Sequence, residues 1–218
     1  MLKHPTLSEH GEKRTRDPEA TRERLLHWAF EEIYEKGFAG ASLDQILANA
    51  GMTKGALYHH FGSKADLGHA VIEEVIRPFV IKRWLDPLRN SDDPVVAFRS
   101  TLECAAESFT DQEMACGCPL NNLSQELANS DDEAFRLHMA SVFDQWRGGI
   151  AQAFERGKGA GTVRDDVDSE AMAAFLVSSL EGIATTMKSS RDRVLTASVG
   201  QVLIEFLETL RPAEVPAA

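Results

Sequence analysis

The chain has 218 residues, 43% of them hydrophobic and 26% charged, with a net charge of −11. That length allows one or two domains with a sizeable core. No run approaches the ~20 apolar residues of a membrane span, and the opening MLKHPTLSEHGEKR lacks the apolar segment of a signal peptide. A cytoplasmic protein without membrane contact is therefore expected, and three cysteines, an odd number, argue against a disulfide framework there.

The charge is unevenly spread. Residues 1–64 carry nine Lys or Arg and nine Asp or Glu, plus five of the seven histidines. The rest carries fourteen basic and twenty-five acidic residues, which accounts for the whole imbalance. An acidic segment is repelled by phosphate, so any nucleic-acid contact must come from the N-terminal end. Residues 1–16 are polar and aperiodic with a basic cluster, Lys13, Arg14 and Arg16. They read as a disordered arm, either merely solvated or reaching a DNA backbone or minor groove.

Asp17 and Pro18 open the first helix as N-cap and first helical residue. Leu25, Leu26, Ala29, Phe30, Ile33 and Tyr34 form its apolar face, and Gly37 stops it. Thr21 and Arg22 lie near its N-terminus, in reach of a phosphate. The next stretch, SLDQILANAGMTKGALYHHFGSK from Ser42 to Lys64, carries the main functional signal. Leu43, Ile46, Leu47 and Ala50 set a helix over 43–50, with Ser42 and Gln45 as a capping box. Gly51 ends it in a left-handed turn. Thr53 caps a second helix over 54–60, and Ser63 with Asp66 caps the next. Helix, glycine turn, helix is the form of a helix-turn-helix. In the second helix Leu57 and Phe61 make one apolar edge. Gly55 and Ala56 let the backbone approach a groove. Tyr58 and His59 suit phosphate or base edges, and Lys54 suits guanine acceptors or phosphate.

These residues, with Gly37–Phe38, Ala50–Gly51, Lys54–Gly55, Leu57–Tyr58, Phe61 and Ser63–Lys64, resemble the DNA-binding domain of the tetracycline-repressor (TetR) family of bacterial transcriptional regulators. The likeness covers about fifty residues. It implies that Thr53, Lys54, Gly55, Tyr58 and His59 face the major groove and that Ser42 and Lys64 contact phosphates. Lys64 also sits at a helix N-terminus, where a phosphate is favoured. The resemblance further implies that the helix beginning at Lys64 acts as a lever between two domains.

Val71, Ile72, Val75 and Ile76 continue that helix until Pro78, which is expected to kink or end it. A continuation over Phe79–Leu88 closes at Pro87 and Asn90. Asp93–Pro94 starts a helix with Phe98, Leu102, Ala105 and Phe109 on one stripe, and Pro119 starts another. Ser130 and Glu133 form a capping box for a long helix over 131–157, striped by Phe135, Met139, Val142, Trp146, Ile150 and Ala153. Gly157, Gly159 and Gly161 then break the chain. Helices over about 169–188 and 191–211 close it, and the tail over 212–218 reads as disordered. No strand is expected. The last helix is apolar over too wide an arc for a single contact, and Ser178, Ser179 and Gly182 suit close helix packing. A homodimer fits both this and the two half-sites a helix-turn-helix needs. The expected architecture is all-α: a three-helix helix-turn-helix domain over 17–64 and a larger effector-binding and dimerisation domain over 65–211.

Cys116-Gly117-Cys118-Pro119 places Cys118 at a helix N-cap, where the dipole favours a thiolate. Cys104 lies off the apolar stripe of its helix. The cysteines read either as plain structural residues, as an electrophile or redox sensor, or as a soft-metal site lacking a fourth ligand. The TetR resemblance supports the sensor, since some such regulators sense reactive compounds through a cysteine in this region. Trp84, Phe98, Phe109, Phe143, Trp146 and Phe175 are candidates for an effector pocket and equally for plain core, and His138 is read as pocket or core. The favoured function is a repressor that binds a palindromic double-stranded operator as a dimer and is released by a small apolar or electrophilic effector. The alternatives are a thiol-dependent oxidoreductase and an effector-independent DNA-binding protein. With no Cys-His-Asp arrangement, phosphate loop or carboxylate pair, neither an enzyme nor a cofactor is expected.

Overall fold

A computed structural model describes residues 17–128, 130 and 132–213; the expected N-terminal arm and most of the expected tail lie outside them. Every regular element among these residues is helical. Helix α1 (Pro18–Gly40) is capped by Asp17, whose carboxylate accepts from the amides of Glu19 and Ala20. Its stripe Leu25, Leu26, Ala29, Phe30 and Ile33 is buried, as expected. Gly37 breaks the helical geometry at φ 76°. There the Glu126 carboxylate comes so close that an added Cβ would lie 2.7 Å from its Oε2, so only glycine fits.

Helix α2 (Leu43–Ala50) ends at Gly51 in the left-handed region, and α3 (Lys54–His60) follows directly. Ile46, Leu47, Ala50, Leu57 and Phe61 bury their side chains and dock both helices on α1. The capping box expected at Ser42 is only half made. Ser42 Oγ accepts from the Gln45 amide, but the Gln45 side chain turns to Asn49, and the Ser42 amide donates to buried Glu32.

Pro78 does not end the next helix. The rod runs through α4 (Lys64–Val71), a π-helical turn (Ile72–Ile76), α5 (Arg77–Val80), a second π-helical turn (Ile81–Leu85) and α6 (Asp86–Arg89). Each π turn sits just ahead of a proline. The amides of Arg77 and Asp86 reach back five residues, to the carbonyls of Ile72 and Ile81. The wider turn makes room for a proline ring that would clash in a regular helix.

Helix α7 (Pro94–Ser108) leads to α8 (Asp111–Cys116), a short helix that was not anticipated although Thr110 and Glu113 form a complete capping box before it. Then come α9 (Pro119–Leu127), α10 (Glu133–Gly159), α11 (Ser169–Ser190) and α12 (Arg193–Glu208). Asp132, not Ser130, caps α10, and that helix continues past Gly157 because Gly157 is buried under Pro94 and Val163. Trp146, Ile150 and Phe154 on α10 form the centre of the larger core. Tyr34, through Gly117, and Phe38, through Phe135, tie the two parts of the chain together.

Candidate nucleic-acid interface and interior cavity

The three N-terminal helices hold α3 with one side on the core and the other in solvent. Thr53, Lys54, Gly55, Tyr58 and His59 are all exposed, Tyr58 at 53%. Thr53 Oγ1 accepts from the Ala56 amide and so fixes the start of the helix. Lys54 pairs with Asp44 at 2.9 Å between two exposed groups, a contact weak enough to yield to a phosphate. Gly55 has free space, since a Cβ there would meet only Thr53 Oγ1 at 3.8 Å. Nothing inside the protein requires glycine in this helix, where it costs about 1 kcal/mol relative to alanine. Ser42 stands exposed at the start of α2, on the same unit.

Three residues expected in reach of phosphate, Lys64, Thr21 and Arg22, are engaged within the protein. Lys64 does not point outward. Its Nζ donates to the carbonyls of Ala39 and Ala41, at 3.2 and 2.7 Å, and lies over the Phe38 ring. It closes the turn after Gly37, because these carbonyls are freed where α1 breaks. Thr21 Oγ1 donates to Asp17 O, and Arg22 forms a two-pronged ion pair with Glu74 over the face of Phe61.

The larger domain holds a half-open cavity of about 320 Å³, with exposed Glu103, Glu107 and Gln201 at its rim. Trp84, Phe109, Trp146 and Cys118 line it, with Tyr34, Phe79, Arg83, Glu113 and Glu181. The second π turn brings Arg83 and Trp84 to its wall. Tyr34 comes from α1, and its hydroxyl donates to Gly117 O at 2.5 Å. Desolvation first, then nearby Cys116 and Cys118, hold the Tyr34 phenol well above its usual range. The sequence reading missed Arg83 and Glu181. The available signal was the adjacent cations Lys82 and Arg83 within the apolar run Phe79–Leu88 and a lone acid in the small-residue segment of α11.

Other expected pocket residues lie elsewhere. Phe98 is fully buried against Phe154 in the core. Phe143 stacks on Trp146 from outside the cavity wall. Phe175 is 47% exposed and packs on Phe206 at the outer face of α11 and α12. His138 bonds His69 and Glu73 where the rod that leaves the reading unit packs on α10.

The surroundings of Cys116 and Cys118 do not favour a thiolate. Cys118 does stand at the N-cap of α9, but its side chain makes no cap bond. Desolvation, with Glu181 beside it, pushes its thiol well above the ordinary range, against the expected thiolate. The dipole of the helix does not offset removal from water. Burial also raises Cys116. Cys104 is exposed and lines an open groove between α1, the proline-containing rod and α7, which shares Phe79, Arg83, Ala105 and Glu113 with the cavity. Among the described residues no cluster of three His, Cys, Asp or Glu side chains is placed to hold a metal ion, and no helix is long and apolar enough to cross a membrane.

An exposed reading helix on a three-helix unit, joined to an all-helical domain with an interior cavity, defines a helix-turn-helix regulator. Residues 25–71 match the model of bacterial regulatory proteins of the tetR family, and 95–203 match the tetracyclin repressor-like C-terminal domain. The chain is 32% identical over 159 residues to the transcriptional regulator AcuR of Cereibacter sphaeroides, covering 72% of this chain and 71% of that one. It is 28% identical over 194 residues to the transcriptional repressor DhaR of Mycobacterium sp. strain GP1, covering 88% and 93%. The crystal structure of a regulatory protein TetR from Rhodobacter sphaeroides superposes with a TM-score of 0.75 at 26% identity, over 85% of this chain and 97% of that one. The chain belongs to the TetR family of transcriptional regulators.

Proposed function

We propose that the chain is a cytoplasmic, dimeric repressor, released from a palindromic operator when a small molecule fills the interior cavity. One observation carries this: Tyr34 belongs to α1 of the reading unit, yet lines the cavity and bonds the carbonyl of Gly117, a residue of the larger domain that lines it too. A ligand that displaces this bond moves α1 directly, and α1 carries α2 and α3. Coupling of about 1–3 kcal/mol is enough for a switch. The dimer is supported by Val194 and Val202, 77% and 64% exposed on α12, beside Phe175 on α11. Such a row of apolar side chains marks an association surface. Two reading heads are needed because one copy offers few cations to the phosphate backbone.

The test is binding to DNA adjacent to the chain's own gene, with and without apolar small molecules, in wild type and Tyr34→Phe. Sequence-specific, salt-sensitive binding that ligand weakens in wild type, and weakens less in the variant, is expected. Ligand-independent binding in both proteins would favour an effector-free DNA-binding protein.

A further inference from the structure

The polar groups of the interior cavity are few and unevenly paired. Three buried polar atoms on residues of its wall have no protein partner: Arg83 Nη2, Trp146 Nε1 and Glu181 Oε2. The first two are donors, and the third belongs to a carboxyl group that can accept. A buried polar group without a partner costs about 1–3 kcal/mol, so an occupant that supplies complementary oxygens gains over a purely apolar one. All three atoms lie just behind the cavity surface, so an occupant's oxygens reach them as the side chains of Arg83, Trp146 and Glu181 shift toward it.

Charge selects further. Arg83 is already matched through Nη1 to Glu113 at 3.3 Å. Its guanidinium also lies 5.1 to 5.8 Å from the ring centroids of Phe79, Trp84 and Phe109. Glu103 and Glu107 add carboxylates to the same wall. An anionic ligand would face four glutamate carboxyl groups, Glu103, Glu107, Glu113 and Glu181, against one cation. A cationic ligand would face Arg83. A volume of about 320 Å³ is at the small end of ligand pockets and suits two rings.

Resting on the effector reading above, we infer that the cavity takes an uncharged, mainly aromatic molecule carrying two oxygens. A carbonyl oxygen accepts from Arg83 Nη2 or Trp146 Nε1, and a hydroxyl donates to Glu181 Oε2. The rings pack between Trp84, Phe109 and Trp146.

Three probes of one shape test this on the full chain by titration calorimetry at pH 6.5. 4-Hydroxybenzophenone has both oxygens, diphenylmethane has neither, and 4-benzoylbenzoate replaces the hydroxyl with a carboxylate. 4-Hydroxybenzophenone is expected to bind at least about tenfold more tightly than either of the others. Glu181→Met should reduce its preference over diphenylmethane by roughly tenfold while leaving diphenylmethane affinity equal or better. No binding of 4-hydroxybenzophenone, or equal or tighter binding of diphenylmethane or the carboxylate by the wild type, overturns the inference without any need for the variant. Binding with the expected preference but no change in DNA affinity upholds this ligand class and defeats the effector reading instead.

Discussion

Nδ1 of His69 lies 3.0 Å from Nδ1 of His138, where the rod that leaves the reading unit packs on α10. His69 is on α4, stacked on Phe135 with centroids 4.0 Å apart. His138 is on α10, and its Nε2 meets Glu73 Oε2 at 2.9 Å. Only one of two facing nitrogens can carry the shared proton, so two imidazolium ions do not fit this geometry. Burial first, then His138, hold the pKa of His69 below its usual 6.5, while Asp66 and Asp132 oppose that shift.

A base with a lowered folded pKa binds fewer protons when folded. Its stabilisation is present above about pH 6.5 and is lost as pH falls through the folded value. Acidification from pH 7.5 to 5.5 should therefore lower the melting temperature. His69→Gln should start lower, having lost the stack, but fall less over the same range. Parallel falls in the two proteins would remove His69 from the explanation.

Gly55 separates the two demands on α3. Gly55→Ala should stabilise the protein by about 0.5–1 kcal/mol, through helix propensity alone, because the site has room for a methyl group. The same methyl stands on the exposed face and should weaken DNA binding. Higher stability with lower DNA affinity, from thermal melts and gel-shift titrations, is the expected pair. Unchanged DNA affinity would mean that this face does not approach the groove.

Local patterns made the reading unit legible from sequence. Asp17, Thr53, Ser63 and Gly51 act within three or four residues of themselves, and their caps formed as expected. What stayed hidden depends on residues far apart in the chain. Glu126 accepts the amides of Phe38 and Ala39, both at 2.7 Å, from almost ninety residues away. Lys64 looked free for phosphate because nothing in its neighbourhood announces the carbonyls of Ala39 and Ala41. Pro78 looked like a stop because a π turn, which absorbs it, has no sequence pattern of its own. The aromatic residues divided between core, cavity and surface according to how each helix packs on its neighbours, and only Trp84 lies on a π turn.

Glu181 should set a second pH dependence of opposite sign. Desolvation raises its carboxyl from 4.5 to about 7, although the hydrogen bond with Cys118 pulls the other way. The folded protein then holds a proton that the unfolded chain releases, so stability falls as pH rises from about 4.5 to 7 and levels off above. The full shift corresponds to about 3 kcal/mol at most. Glu181→Gln keeps the shape without the charge. It should be more stable than wild type at pH 8 and differ little at pH 4.5. A constant difference across that range would mean that Glu181 does not carry the effect.

Val202 tests the association surface. A carboxylate at this position, 64% exposed on α12, disturbs little within one chain but would be desolvated between two. Val202→Asp should elute as a monomer with unchanged helical content and lose operator binding. A dimer that still binds DNA would place the interface elsewhere.

The cysteines differ in exposure in a way that reverses the order suggested by the N-cap position of Cys118. Thiolate is the reacting species, so a buried thiol with a raised pKa reacts slowly. Cys118 is held protonated by desolvation and by Glu181, and Cys116 by desolvation. Cys104 stands exposed beside an open groove. Iodoacetamide at pH 7.5, followed by peptide mass spectrometry, should modify Cys104 first and Cys118 roughly tenfold or more slowly. A quinone that releases DNA should then do so equally in wild type and Cys118→Ser, and any covalent contribution should disappear with Cys104→Ser. Modification of Cys118 as fast as Cys104, with release abolished by Cys118→Ser, would show that the thiol is activated despite its surroundings and would restore it as an electrophile sensor.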